Sequence, residues 1–361
     1  MDTLLKQFTQ LGNTAQNLTL TGTAVASFNG STSMAITVSG PNFIKTVPLT
    51  VVQLHRNRIL ERPVRWGVME TNNGVATISN TGASGRIRMA TVSGDTYNAN
   101  ATFSSTGQDV QIAYSGDNTF AGNLTFNSNK VVFNTNTGKV TFTGTNNQTL
   151  NGSYNYPFKK LAINKTAGTV TANTTLSVDD SLIFIQGKLI TTSANLLTMK
   201  HGSIAHGASN SSFVSGPVKK IGNSVFVFNV GSGSTYRPLT ITAPSNISDA
   251  FTAEYYSAGQ TLGTTKDTTI TFVSDCGYWK LDRNVGTSNI TPKFAFDSLH
   301  CDYLTVKPVH IALWNGTKWT DKGEAVTEST NKTTKKKKKK KNFFFFFFPL
   351  VTPSHVELSH D

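Results

Sequence analysis

Stretches in which Ala, Leu, Glu and Lys recur at helical spacing are missing from this chain, which argues against a mainly helical architecture. Charged residues are scarce, at 15%. No apolar run approaches the roughly 18 residues of a membrane-spanning helix. Cysteine occurs twice, at Cys276 and Cys301. Two thiolates, even with His300 beside them, do not make a four-ligand structural zinc site. The first twenty residues lack the basic start and continuous apolar core of a signal peptide. If the protein is secreted, its export signal is expected upstream.

What fills the chain is Thr, Ser, Asn and Gly, punctuating short runs of Val, Ile, Thr, Phe and Tyr. That is the composition of strands and turns, and it predicts an all-β protein. With 361 residues there is room for two ordinary domains. The formal charge of +13 would suggest a nucleic-acid or anionic-membrane partner if it were spread over the fold. It is not: nine of the thirteen charges fall in 44–70 and 332–361. The body is close to neutral, and no nucleic-acid partner is expected.

Those two segments differ from the rest of the chain. In 44–70 Gly and Asn nearly vanish while Arg, Pro and His cluster, and the usual idiom resumes at Thr71-Asn72-Asn73-Gly74. Such an island is what a local frameshift or an insertion produces, so His55, Arg56 and Arg58 are not read as a phosphate site. The tail holds Lys335 to Lys341, then Asn342, then Phe343 to Phe348. An exposed run of six phenylalanines is an aggregation hazard. A long A run followed by a long T run in the coding DNA would translate to this pattern. The segment 331–361 is therefore expected to be artefactual and disordered, with a basic membrane-binding tail as the rival reading.

Between the islands the sequence repeats. Phe or Tyr, a tight turn and an apolar-Thr-apolar strand recur around Gly74, Ala99, Gly122 and Gly144, spaced 25, 23 and 22 residues apart. An earlier copy begins at Phe28-Asn29-Gly30. A period in the low twenties suits one coil of a β-solenoid: no coil buries its own inward face, and the next coil covers it. Phe and Tyr should stack inside, with ladders of Thr and Asn outside. The spacing loosens beyond Gly168, with Asp179-Asp180-Ser181 read as a turn. A string of small β-sandwiches is the competing architecture, but the period is too short for one. The expected organisation is 1–43 a partial β-repeat, 44–70 the atypical basic segment, 71–205 the solenoid and 206–330 a β-sandwich.

After His206 strands lengthen and become more apolar, and Asn315-Gly316 between alternating runs is a hairpin signal. About seven strands in this region suggest an immunoglobulin-like sandwich. Cys276 and Cys301 suit one disulfide in an oxidising compartment, the alternative being two unpaired buried thiols. Three phrases are familiar: SFVSGPVKKIG from Ser212 to Gly222, CGYWKLDR from Cys276 to Arg283, and WNGTKW from Trp314 to Trp319. They resemble repeat-rich, adhesin-like exoproteins of the Bacteroidota, of the kind exported by type IX secretion. The similarity covers about 122–324 and is densest from Ser212. It implies an extracellular or cell-surface location and a sorting domain after Glu324, where the Lys/Phe tail stands instead. It carries over no catalytic residues.

The candidates for chemistry are few. His201 and His206 are a pair where a metal site needs at least three ligands in a fixed geometry, with no carboxylate nearby in the sequence, and they read as a polar loop. Asp179 and Asp180 are adjacent, so on a strand they would point to opposite faces and could not flank one bond. Glu254, Asp282 and Arg283 read as ion pairs or strand-edge polar groups. Trp279, Trp314 and Trp319 fit a sandwich core better than a sugar platform, though Trp314 and Trp319 are retained as candidates for glycan stacking. No phosphate loop, Ser/His/Asp arrangement, cofactor motif or calcium loop of recognised spacing is present, although Asp/Asn turns are compatible with Ca2+. The expectation is a non-enzymatic structural or adhesive surface protein, a fragment of a longer chain, whose partner is an extracellular glycan or protein surface. A β-helix polysaccharide lyase or glycosidase is the first alternative, and a non-catalytic glycan-binding module the second.

Overall fold

The computed structural model describes residues 70–73, 75–80, 87–90, 94–107, 109–133, 137–257, 262–270, 273–295 and 309–324. It also describes the backbone of strands within 6–56 and 342–347. Every regular element among these residues is a β-strand. The chain divides into two compact units, Met1–Ser212 and Phe213–Asp361.

The first unit is a parallel β-solenoid whose coils each lay three short strands on three faces. On the first face Glu70–Asn72, Asp95–Tyr97, Asn118–Phe120 and Lys139–Phe142 pair in parallel, one above the next. The column continues through Lys160 to Ile163, Ser181 to Ile183 and Ile204–His206. The second face stacks Ala76–Asn80, Ala101–Ser105, Leu124–Phe126 and Gln148–Gly152, then residues 170–172 and 189–190. Gln16–Thr21 and Met34–Ser39 precede it in the same parallel register. The third face carries Ile87–Arg88, Val110–Gln111 and Val131–Val132, then Phe158, Val178 and Met199.

The register reproduces the sequence period. Asn72 pairs with Tyr97, Tyr97 with Phe120 and Phe120 with Phe142, which are steps of 25, 23 and 22 residues. Further on, Tyr156–Ala172 and Leu176–Ile190 are continuous strands that run across all three faces. The expected turn at Asp179-Asp180-Ser181 is absent. The strand passes through it, and a register shift between Phe158 and Lys160 accommodates the extra residue.

Alternation along each strand explains the packing, because successive side chains point in and out. Ala76–Asn80 and Ala101–Ser105 alternate buried and half-buried without a break. Inside, Tyr97 lies on Phe120 with ring centroids 4.7 Å apart and planes 6° from parallel. Phe142 continues the column at 6.1 Å, and Phe103 meets Phe120 edge-on at 6.3 Å. Phe126, Phe133, Tyr156 and Phe158 form a second aromatic group. Burying each ring is worth about 1.5–3 kcal/mol, and no single coil could do it alone. The coils approach so closely at one corner that a Cβ on Gly122 would sit 2.3 Å from the carbonyl carbon of Ala99. Only glycine fits there.

The second unit holds an antiparallel run that belongs to a larger sheet, its last strand also pairing in parallel with Asn342–Phe347, and a separate three-stranded antiparallel sheet. The run is Val218–Ile221, Ala250–Tyr256 and Val273–Val285. The separate sheet is Phe226–Phe228, Leu239–Ile241 and Pro292–Phe294. Trp279 of the first sheet packs on Phe294 of the second at 5.3 Å, and its indole N–H donates to the Arg237 carbonyl at 2.9 Å. Lys220 is buried with its ammonium 4.8 Å above the Phe226 ring. Val309–Trp314 and Trp319–Glu324 form the hairpin expected around Asn315-Gly316. The Asn315 side chain accepts from the backbone N–H groups of Thr317 and Lys318, and Gly316 takes the left-handed φ of +100°. Where the sequence leads one to expect only disorder, Asn342–Phe347 is a strand parallel to Val309–Trp314.

Candidate functional site

The second face of the solenoid presents a regular polar surface. Its outward positions fall into three columns because residues two apart on a strand share a face and the coils stack in register. One column is Thr77, Thr102, Thr125 and Asn151, with Asn173 joined to Asn151 by a 2.8 Å amide hydrogen bond. Beside it run Asn100, Asn123, Thr149 and Thr171. Ser79 and Ser104 begin a third column. No member of these columns carries a charge.

The asparagine column locks successive coils together. The backbone N–H of Asn123 donates to Oδ1 of Asn100 at 2.9 Å, and that of Thr149 to Oδ1 of Asn123 at 2.8 Å. The threonine and serine hydroxyls behave differently. Among the described residues, those of Thr77, Thr102, Thr125, Ser79 and Ser104 make no side-chain hydrogen bond, and all five residues are half-buried. On the first face Thr96, Thr119 and Thr141 give way to Ala162 and Ile183, as Thr171 gives way to Ile190 on the second, and Lys139 pairs with Asp117 at 2.7 Å.

Beneath the corner between these faces lies a buried polar knot. Nε2 of Gln148 donates to the carbonyls of Phe120 and Gly122 at 2.9 and 2.7 Å. Lys165 is fully buried, and its ammonium donates to Oε1 of Gln148 at 2.6 Å and to the Thr143 carbonyl at 3.1 Å. Burial lowers its pKa, since a cation loses hydration there. The knot adds side-chain donors to carbonyls at the corner, that of Phe120 also accepting from the Thr143 N–H of the next coil at 2.8 Å. It is structural, and sequence reasoning missed it because Lys165 sits in a Thr-rich run that reads as surface.

A second cluster lies on the outward face of the Val218–Ile221 sheet. Glu254 stands opposite Lys280, Tyr256 opposite Tyr278, and Thr252 opposite Asp282. The two tyrosine rings stack at 4.7 Å and 9°. The Tyr256 hydroxyl donates to Glu254 at 2.7 Å, and Lys280 pairs with Asp282 at 3.1 Å. Burial is the leading cause that raises the pKa of both carboxyls; the Tyr256 hydrogen bond and then Lys280 oppose it at Glu254, and Lys280 opposes it at Asp282. Tyr256 is pushed up by burial and by its bond to Glu254. Of the expected ion pairs only Lys280–Asp282 forms here, while Arg283 donates to the Ser288 carbonyl at 3.2 Å.

Trp314 and Trp319 are corrected as glycan-stacking candidates. Trp319 is 0% exposed and Trp314 7%, and their rings meet at 5.2 Å within a cluster with Ile270 and Ala312. The Trp319 indole N–H donates to the Gly263 carbonyl at 3.0 Å. Neither ring offers a face to a sugar, because the hairpin turns both inward. Trp279 is likewise buried. Cys276 lies on the strand Val273–Val285, and Cys301 falls outside the described residues; the disulfide stays an expectation. His201 and His206 are exposed, His206 on the strand Ile204–His206 and not in a loop. Among the described residues no three His, Cys, Asp or Glu side chains gather as a metal set. Among them, too, no helix is long and apolar enough to cross a membrane.

No protein-family model, curated protein or solved structure matches the chain.

Proposed function

We propose that this is a non-enzymatic extracellular structural or adhesive protein. The observation that carries the reading is the Thr/Asn/Ser surface of the second solenoid face, whose columns from Thr77 to Asn173 carry no charge over successive coils before Lys188 and Ile190 succeed Thr169 and Thr171. Stacked coils supply length and stiffness, since each contacts its neighbours along the stack. An uncharged face approaches another surface without the cost of desolvating ions. The second unit is taken as a terminal immunoglobulin-like sandwich, with Cys276–Cys301 as its staple. The resemblance of the three phrases to Bacteroidota exoproteins supports export by a type IX route.

The Glu254–Asp282 pair beside stacked tyrosines favours a second reading, a carbohydrate-active or glycan-binding protein. Glycoside hydrolysis uses a pair of carboxyls, and burial raises both of these. Incubating the full chain with plant and algal polysaccharides separates the two. The adhesive reading expects retention on surfaces without chain cleavage, and release of new sugar ends would overturn it.

A further inference from the structure

The second face has a property beyond being neutral: it is periodic in two directions. Along the stack, in-register coils repeat at the inter-strand distance of about 4.8 Å, and along each strand outward residues repeat at about 6.6 Å, two residues at 3.3 Å each. Thr77, Thr102 and Thr125 occupy equivalent lattice points, and Ser79 and Ser104 the points beside them. Asn100, Asn123, Thr149 and Thr171 fill the row on the other side. In-register parallel pairing keeps each row aligned from one coil to the next.

Each hydroxyl on the grid both donates and accepts, and those of Thr77, Thr102, Thr125, Ser79 and Ser104 make no side-chain hydrogen bond among the described residues. Threonine is stiff about χ1, so its hydroxyl and methyl are pre-positioned and little entropy is lost on docking. No charged group interrupts the columns from Thr77 to Asn173. A charged partner would find no counter-charge on these columns. What such a grid complements is an uncharged, hydrogen-bonding, crystalline surface. The simplest is water itself.

We propose that the second solenoid face binds ice, its hydroxyl and amide rows standing in for rows of water oxygens at the crystal surface. This names the target of the adhesive face and so rests on the reading given above. The first face is the internal contrast, because the Lys139–Asp117 pair lies on it among the coils where the second-face columns from Thr77 to Asn173 carry no charge.

The test uses the full chain, fluorescently labelled, partitioning into a slowly growing ice hemisphere, with ice-crystal shape followed in parallel. Three proteins are compared: the parent, Thr102→Lys on the second face, and Thr119→Lys on the first. Parent adsorption, lost by roughly tenfold or more in Thr102→Lys (the factor that about 1.4 kcal/mol represents) and kept in Thr119→Lys, is expected. Circular dichroism confirms folding of each, and Thr102→Gln, uncharged, repeats the test if Thr102→Lys does not fold. Exclusion of the folded parent from ice overturns the proposal. If that excluded parent still binds crystalline cellulose or chitin, the adhesive reading stands and ice alone falls. Binding to neither removes the support that the array lends to both. Ice adsorption unchanged by Thr102→Lys overturns the assignment to this face.

Discussion

Replacing Phe120 by alanine strikes the solenoid where its coils depend on each other most. Phe120 is 0% exposed, lies parallel on Tyr97 at 4.7 Å, meets Phe103 edge-on and continues to Phe142 at 6.1 Å. Truncating a buried phenylalanine costs about 3–5 kcal/mol through lost transfer energy and the cavity left behind. The ring pairs add about 0.5–1.5 kcal/mol each beyond area, partly overlapping the first figure, so the upper half of the range is expected. The control is the preceding residue: Thr119→Ala, whose side chain points out, should stay within about 0.5 kcal/mol. Native-state hydrogen exchange is the assay, because a stack of nearest-neighbour coils does not unfold as one two-state body. Phe120→Ala should release amides of Asp95–Tyr97, Asn118–Phe120 and Lys139–Phe142 while Leu176–Ile190 keeps its protection. Equal, small effects of the two substitutions would refute the inward aromatic column. Uniform loss of protection across all coils would refute nearest-neighbour stacking.

Three further outcomes are expected. Both side-chain polar atoms of Asn118 are buried without a hydrogen-bond partner among the described residues, and Val140 takes its place on the next coil; Asn118→Val should stabilise by about 1–3 kcal/mol, and a lower melting temperature would contradict this. The folded pKa of Glu254 is raised, so stability from this source is fully present below the unfolded carboxyl value and is lost as pH rises through the folded one. Glu254→Gln should therefore melt above the parent near neutral pH, with the gain vanishing below about pH 4; a gain independent of pH would sink the idea. Trp319→Ala should lose about 3–5 kcal/mol and unfold the Trp314 cluster, read by near-ultraviolet circular dichroism. A folded variant with undiminished stability would return the ring to the surface.

Much of the solenoid was legible from residues alone, because its two governing periodicities are written locally. Alternation of apolar and polar residues set which side chains face in, and the spacing of Gly74, Ala99, Gly122 and Gly144 set the coil length. The all-β class and the Asn315-Gly316 hairpin follow from the same local chemistry. The turn at Asp179 failed because a bulge absorbs polar residues into a strand without any sequence mark of its own. The core reading of Trp314 and Trp319 is the favoured one, but the Asn, Gly, Thr and Lys around them keep the sugar platform open until the hairpin partner is known. The Glu254–Tyr256–Tyr278–Asp282 cluster and the Gln148–Lys165 knot depend on cross-strand register, and register is a property of pairs of segments. The uncharged grid had visible ingredients, but its columns needed that register too.

The register itself is therefore the point on which the account stands. In a background with Cys276 and Cys301 replaced by serine, Thr102→Cys combined with Thr125→Cys places two thiols on adjacent in-register strands. Their Cα separation of about 4.8 Å lies within the range a disulfide spans. Mild oxidation should join them, while Thr102→Cys with Thr119→Cys, on different faces, should stay reduced. Linkage of the second pair and not the first would contradict the stacked coils and the face built on them.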